Sequence, residues 1–205
     1  MIHDLAVYQG RLIAAGAFLT IGGVPATRIA AWDGVTWTPL GSGLNAPDNG
    51  LYVWNNLLIV HGHFTEAGRD SLEYIARWDG TRWAALGGGL NGPVFAWATY
   101  GTQRIAGGAF TAAGATVVKH LASWDGSAWH PLGTGTRSLV TTLAPWNTQL
   151  VAGGKFLRAG GVTATRVALW DGASWASLGC RVHRAPIQRT ARVAWCSSPL
   201  ARGLA

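Results

Sequence analysis

His61 and His63 stand two residues apart on an extended run, so both side chains point to one side, as two ligands of a metal do. A metal centre needs a third and usually a fourth ligand. No Cys, His or carboxylate stands at a ligand spacing from the pair, and the corresponding positions elsewhere in the chain are Ala15 and Ala17, Gly107 and Ala109, and Gly153 and Lys155. The pair reads as an isolated polar variation before it reads as a metal site. Glu66, Asp70 and Glu73 cluster around Arg69, without the spacing or glycine placement of an EF-type calcium loop. A solvated, partly self-paired loop is expected there. Asp33, Asp79, Asp125 and Asp171 would suit calcium or acid–base chemistry one at a time, but each precedes a glycine in the same tight turn, which assigns them to turn structure.

One further series varies in an informative way. Arg28, Tyr74, His120 and Arg166 are large hydrogen-bonding side chains flanked by small or apolar ones, and they are the candidate ligand contacts. No G-x-S-x-G, phosphate-binding loop, H-E-x-x-H or paired-carboxylate pattern occurs. No catalytic residue is assigned, no cofactor is expected, and the chain is expected not to be an enzyme.

The elements that position these residues follow from an internal repeat. Trp-Asp-Gly begins at Trp32, Trp78, Trp124 and Trp170, each step being 46 residues. The same step links Phe18, Phe64, Phe110 and Phe156, and also Gly16, Gly62, Gly108 and Gly154. Four units run at about 1–46, 47–92, 93–138 and 139–179. In the first unit, runs of apolar, β-branched and aromatic residues predict four strands: a (3–8), b (11–18), c (27–32) and d (36–40). Between c and d lies the turn Trp32-Asp33-Gly34 leading to Trp37, repeated as Trp78-Asp79-Gly80 to Trp83, Trp124-Asp125-Gly126 to Trp129, and Trp170-Asp171-Gly172 to Trp175. Asp bonds the turn's N–H groups, Gly accepts positive φ, and the two Trp rings can meet across the hairpin. These eight tryptophans are expected to be mostly buried between units. Pro145 falls in strand a of the fourth unit, tolerable where that strand is an edge.

Four antiparallel strands at this period predict an all-β fold, a β-propeller of four-stranded blades, each stacked on its neighbours because one sheet cannot cover both its faces alone. An arc or strained ring from a larger propeller is expected, with further blades in a parent chain. In a meander of this kind the a–b and c–d turns emerge on one side and the b–c and d–a connections on the other. The c–d turns hardly vary. The b–c loops 65–73, 111–119 and 157–165 differ in size and charge and lie with Arg28, Tyr74, His120 and Arg166 on the opposite side, the expected binding face.

Composition narrows the function classes. Charged residues make up 12%, against about 25% in an ordinary domain, while 29 Gly and 12 Trp signal tight turns between buried strands. The formal charge is +7, but Arg181, Arg184, Arg189, Arg192 and Arg202 supply five of those charges from residues 180–205. The preceding 179 residues hold 11 basic and 9 acidic side chains, so nucleic-acid binding by the repeats is not expected. Both cysteines, Cys180 and Cys196, also lie in this non-repeat tail, which breaks phase abruptly, as a shifted reading frame does, and is expected to be poorly packed. No apolar run approaches the roughly 20 residues that span a bilayer. The opening MIHDLAVYQG lacks the regions of a signal peptide.

The repeat resembles the kelch type. Ile105-Ala106-Gly107-Gly108 and Val151-Ala152-Gly153-Gly154 match its apolar run ending in Gly-Gly, followed by an aromatic-Asp turn and a Trp on the last strand. The first two units depart, with Ala15-Gly16 and His61-Gly62 in place of the pair, and Trp stands where kelch repeats usually have Tyr. The resemblance, to degenerate arrays of large bacterial surface or secreted proteins, implies an extracellular or cell-surface scaffold that binds a protein or glycan ligand. Its alternatives are a structural spacer, or a hydrolase or lyase with a site at the central channel. A kelch-type radical copper oxidase needs a Tyr-Cys pair, and the repeats contain no cysteine.

Overall fold

The computed structural model describes residues 1–178; the expectations for the tail at 180–205 lie outside them. Each repeat folds as six strands. The first has β1 (Ile2–Tyr8), β2 (Arg11–Gly16), β3 (Thr20–Ile21), β4 (Val24–Pro25), β5 (Ile29–Trp32) and β6 (Trp37–Pro39). The second has β7 (Asp48–Trp54), β8 (Leu57–Gly62), β9 (Glu66–Ala67), β10 (Asp70–Ser71), β11 (Ile75–Trp78) and β12 (Trp83–Ala85). The third has β13 (Val94–Tyr100), β14 (Gln103–Gly108), β15 (Ala112–Ala113), β16 (Thr116–Val117), β17 (Leu121–Trp124) and β18 (Trp129–Pro131). The fourth has β19 (Val140–Trp146), β20 (Gln149–Gly154), β21 (Arg158–Ala159), β22 (Val162–Thr163), β23 (Val167–Trp170) and β24 (Trp175–Ser177). Four strands of each make an antiparallel sheet in the order β1-β2-β5-β6 and its equivalents; the two short ones form a small hairpin in the b–c loop. No helix occurs among the described residues. This is the all-β arrangement of propeller blades.

Strand b ends at Gly16 rather than reaching Phe18, and strand c starts at Ile29 rather than Thr27. The cause is local. Arg28 takes a left-handed φ of 67°, which breaks the strand, while its N–H donates to Phe18 O at 2.9 Å.

The innermost strands are edges, bonded on one side alone, and Pro145 sits on β19 opposite Leu150 of β20. Each innermost strand also carries a bulge near its start. Ile2 pairs with Gly16 and Asp4 with Ala15, so His3 is extra; Asn49, Phe95 and Thr141 are extra in the other blades. Here the repeated glycine is required by close backbone approach. A Cβ on Gly62 would lie 2.7 Å from Asp48 Cα, and one on Gly154 would lie 2.9 Å from Val140 Cα.

The core lies between blades, in three clusters for four blades. Ile13, Ile29 and Leu40 of the first blade meet Leu58, Val60 and Trp83 of the second, and the pattern recurs between the second and third and between the third and fourth. At each boundary a Trp donates its indole N–H to a Leu carbonyl of the preceding blade: Trp83 to Leu40 at 3.1 Å, Trp129 to Leu86 at 2.9 Å, Trp175 to Leu132 at 3.2 Å. The linker between blades bonds the next blade's small hairpin, Gly68 N to Gly43 O at 2.8 Å and likewise Gly114 to Gly89 and Gly160 to Gly135.

Tryptophan burial follows this stacking rather than the repeat alone. Trp83, Trp124, Trp129, Trp170 and Trp175 are buried, whereas Trp32, Trp37 and Trp78 are half-buried. Trp32 and Trp37 belong to the first blade, whose outer face is covered by no blade among the described residues. Trp78 borders a cleft of about 430 Å³ beside Tyr8 and Gln9.

Candidate functional site

The four Trp-Asp-Gly turns are built alike. Asp33 Oδ1 accepts the N–H groups of Val35 and Thr36, both at 2.8 Å, and Asp79, Asp125 and Asp171 do the same in their own turns. These bonds hold all four carboxyl groups below the usual carboxylate range. The paired rings, such as Trp124 and Trp129, lie 5.1–5.4 Å apart in tilted geometry. This side of the molecule repeats itself blade after blade.

The opposite side, where b–c loops and the starts of the innermost strands meet, does not. Arg28, Tyr74, His120 and Arg166 all lie there, at φ of 67°, 65°, 65° and 68°. Each N–H bonds a Phe carbonyl, from Phe18, Phe64, Phe110 and Phe156, and each carbonyl accepts the N–H of Gly16, Gly62, Gly108 or Gly154. The backbone role is shared, but the side chains part ways. Arg28 Nη1 bonds Leu44 O at 2.9 Å, Tyr74 packs on the core between the second and third blades, burial pushes the His120 imidazole below its usual value, and Arg166 is exposed. A left-handed residue with a Cβ costs roughly 1–2 kcal/mol. Arg166→Gly is therefore expected to raise stability by up to about 1 kcal/mol after glycine's own entropy cost, read as a higher urea midpoint; a clear loss would show that the Arg166 side chain makes a structural contact.

Toward the central axis the same side carries the strongest departures from the repeat. Asp48 occupies the position of Ile2, Val94 and Val140 and is buried at 2% exposure. Neither of its carboxyl oxygens accepts a well-formed hydrogen bond, and His3 Nδ1 stands 3.5 Å from Oδ1. Burial pushes the Asp48 carboxyl up to about 6, against the pull of His3. His3 Nδ1 also lies 3.1 Å from Asp48 O. His61 stands where the other blades have Ala15, Gly107 and Gly153, with its ring stacked on Trp97 at 6.2 Å and Nδ1 3.4 Å from Val94 O. Burial pushes this imidazole down to about 4, so it is neutral at pH 7. Gly50 makes the room: a Cβ there would lie 2.9 Å from His61 Nε2. His63, in contrast, is exposed and rests on Phe95 at 5.6 Å.

Three side chains tie the unpaired inner edges together. His3 meets Asp48 O, Asp4 Oδ2 accepts Leu51 N–H at 2.8 Å, and Asn49 Nδ2 donates to Val94 O at 2.7 Å. Beside them runs an axial groove of about 290 Å³, walled by Asp4, Asn49, His61, Phe95, Trp97 and Thr142. Carboxylate and carboxamide next to two aromatic faces suit a ligand carrying both N–H or O–H donors and apolar surface. Among the described residues no group of three His, Cys, Asp or Glu side chains converges as a metal site. The sequence signal for this rim is the His3-Asp4 and Asp48-Asn49 columns set against the other repeats; His3, Asp4 and Asp48 are also the few strand-a polar residues that a hydrolase or lyase site at the central channel would have to use.

The blades and their order define a propeller-like repeat protein. Among solved structures the chain is similar to the computationally designed Ika4 protein, with a TM-score of 0.50 and 17% identity over 83% of this chain and 90% of that one. It is also similar to the computationally designed Ika8 protein, with a TM-score of 0.50 and 17% identity over 82% of this chain and 45% of that one. YCF48 bound to D1 peptide matches with a TM-score of 0.48 and 13% identity, over 86% of this chain and 52% of that one. The chain thus spans about half the length of the latter two. At these identities the likeness concerns the fold. No protein-family model matches the sequence, and no curated protein matches it either.

Proposed function

We propose that the chain is a non-enzymatic binding scaffold of kelch-like type, at the cell surface or outside the cell, that takes an extended protein segment or a glycan on the face where b–c loops and axial rim meet. The observation that carries this reading is Asp48. A buried carboxyl whose nearest side-chain donor is His3 Nδ1 at 3.5 Å, where the repeat supplies valine or isoleucine, weakens the fold at one point, and such local violations concentrate at functional sites. Asp4, Asn49 and the groove adjoin it, and Arg28, Tyr74, His120 and Arg166 flank the same face.

The hydrolase or lyase alternative has the His3–Asp48 pair in its favour. Against it, the Asp48 side chain is fully enclosed, beyond the reach of a substrate. The test begins with arrays of glycans and of extended peptides probed with the full chain. For the ligand so found, Asp4→Ala with Asn49→Ala is expected to weaken binding at least tenfold while the circular dichroism stays unchanged. His120→Gly with Arg166→Gly tests the loop series in the same way. Undiminished affinity in both double variants would remove the ligand from this face, and no ligand from either array would favour a spacer.

A further inference from the structure

The three blade boundaries repeat one interface, and among the described residues the first and the fourth blade each show one half of it unfilled. At the start, Trp37 has the position of Trp83, Trp129 and Trp175. Its ring packs on its own small hairpin as theirs do: a Cβ on Gly22 would lie 2.5 Å from Trp37 Cδ1, as one on Gly160 would lie 2.6 Å from Trp175 Cδ1. Yet among the described residues no Leu carbonyl meets Trp37 Nε1, and Leu5, whose equivalent Leu51 packs into the boundary between the first two blades, is 52% exposed.

At the other end, Leu178 has the position of Leu40, Leu86 and Leu132. Those are 4%, 2% and 3% exposed; Leu178 is 47% exposed, and no described indole bonds its carbonyl. Val167 is 38% exposed where Ile29, Ile75 and Leu121 are at most 1%, and Trp146 is 42% exposed where Tyr8 is 4%. Both open faces are apolar, and each is the complement of the other by the register of the internal boundaries.

We propose that a second copy of this chain fills both faces, the first blade of each copy stacking on the fourth blade of the other. Trp37 of one copy then donates to Leu178 O of its partner, as Trp83 does to Leu40. Head-to-tail contacts close into a ring when the rotation allows and run into filaments when it does not. Two copies close as a two-fold ring of eight blades, within the range of about 4–8 known for propellers. The interface continues one the fold already uses three times.

Light scattering on the full 205-residue chain, from about 1 to 100 μM, reads the assembly directly. The expected species has twice the 21.6 kDa of the chain. Leu5→Lys with Val7→Glu changes two exposed residues of the first open face, and this variant is expected to run at the single-chain mass with unchanged circular dichroism. Val167→Glu does the same from the fourth blade. A wild-type chain that stays at 21.6 kDa at 100 μM overturns the proposal and leaves the faces to further blades of a longer chain; a ladder of larger species overturns the closed ring. Dimers that persist in both variants show that another surface holds the copies, which also overturns it.

Discussion

Asp48→Val is expected to raise the stability of the fold at pH 7.5 by about 3 kcal/mol. The Asp48 carboxyl titrates at about 6 in the folded chain against 3.8 when solvated. About two pH units at roughly 1.4 kcal/mol each is the cost of keeping it ionised in the core. The sign follows from proton affinity: the folded state holds this proton more tightly, so the cost is absent below pH 3.8, grows to pH 6 and is constant above. The gain from valine should accordingly shrink to near zero at pH 4. His61 acts in the opposite sense. Its imidazole is pushed from 6.5 to about 4, so it costs nothing above pH 6.5 and progressively more as the pH falls to 4. The two slopes offset each other between about pH 4 and 6 in the natural chain. Asp48→Val uncovers the His61 slope, and stability then falls on acidification; His61→Ala uncovers that of Asp48, and stability rises. Urea midpoints at pH 7.5, 5.5 and 4 measure this. A flat profile for both variants would mean that neither group is buried in the state assigned to it.

Trp129→Ala carries the second large effect, a loss of about 3–5 kcal/mol. Its ring is 4% exposed, lies 5.1 Å from Trp124 and edge-on to Trp97 at 6.1 Å, and its indole N–H bonds Leu86 O at 2.9 Å. Truncation opens a cavity at the boundary of the second and third blades and leaves that carbonyl without its donor. Against a total margin of about 5–15 kcal/mol for a folded domain, a loss of this size leaves little. Denaturant unfolding followed by the remaining tryptophans gives the number. A cost below about 1 kcal/mol would show that stacking between blades does not hold the arc together.

The period of 46 made the blades legible, because every blade must offer its neighbours the same two faces and so repeats the same apolar columns. Equal burial of all eight motif tryptophans did not follow. A repeat describes an interior blade, and Trp32 and Trp37 stand on a blade with one neighbour. The hairpins such as β3 and β4 left no alternation to read, since two residues per strand show no period. Three residue types, Arg, Tyr and His, share the left-handed position of Arg28, Tyr74, His120 and Arg166, and none of them announces it. The axial rim was half legible. Asp48 is polar in a column of Ile2, Val94 and Val140, and Gly50 and His61 depart together in columns that otherwise hold Asp4, Ala96 and Thr142, and Ala15, Gly107 and Gly153. The bulges that turn His3 and Asn49 toward the next blade are not written in residue type at all.

The central claim, that ligand binds the face of loops and axial rim, is tested most directly by amide hydrogen exchange of the full chain with and without the peptide or glycan selected on the arrays. Protection is expected at the inner edges around Leu51 and Phe95 and in the loops 65–73 and 111–119, with the Asp-Gly turns at Asp33, Asp79, Asp125 and Asp171 unaffected. Protection confined to those turns, with the rim exchanging as in the free chain, would contradict it.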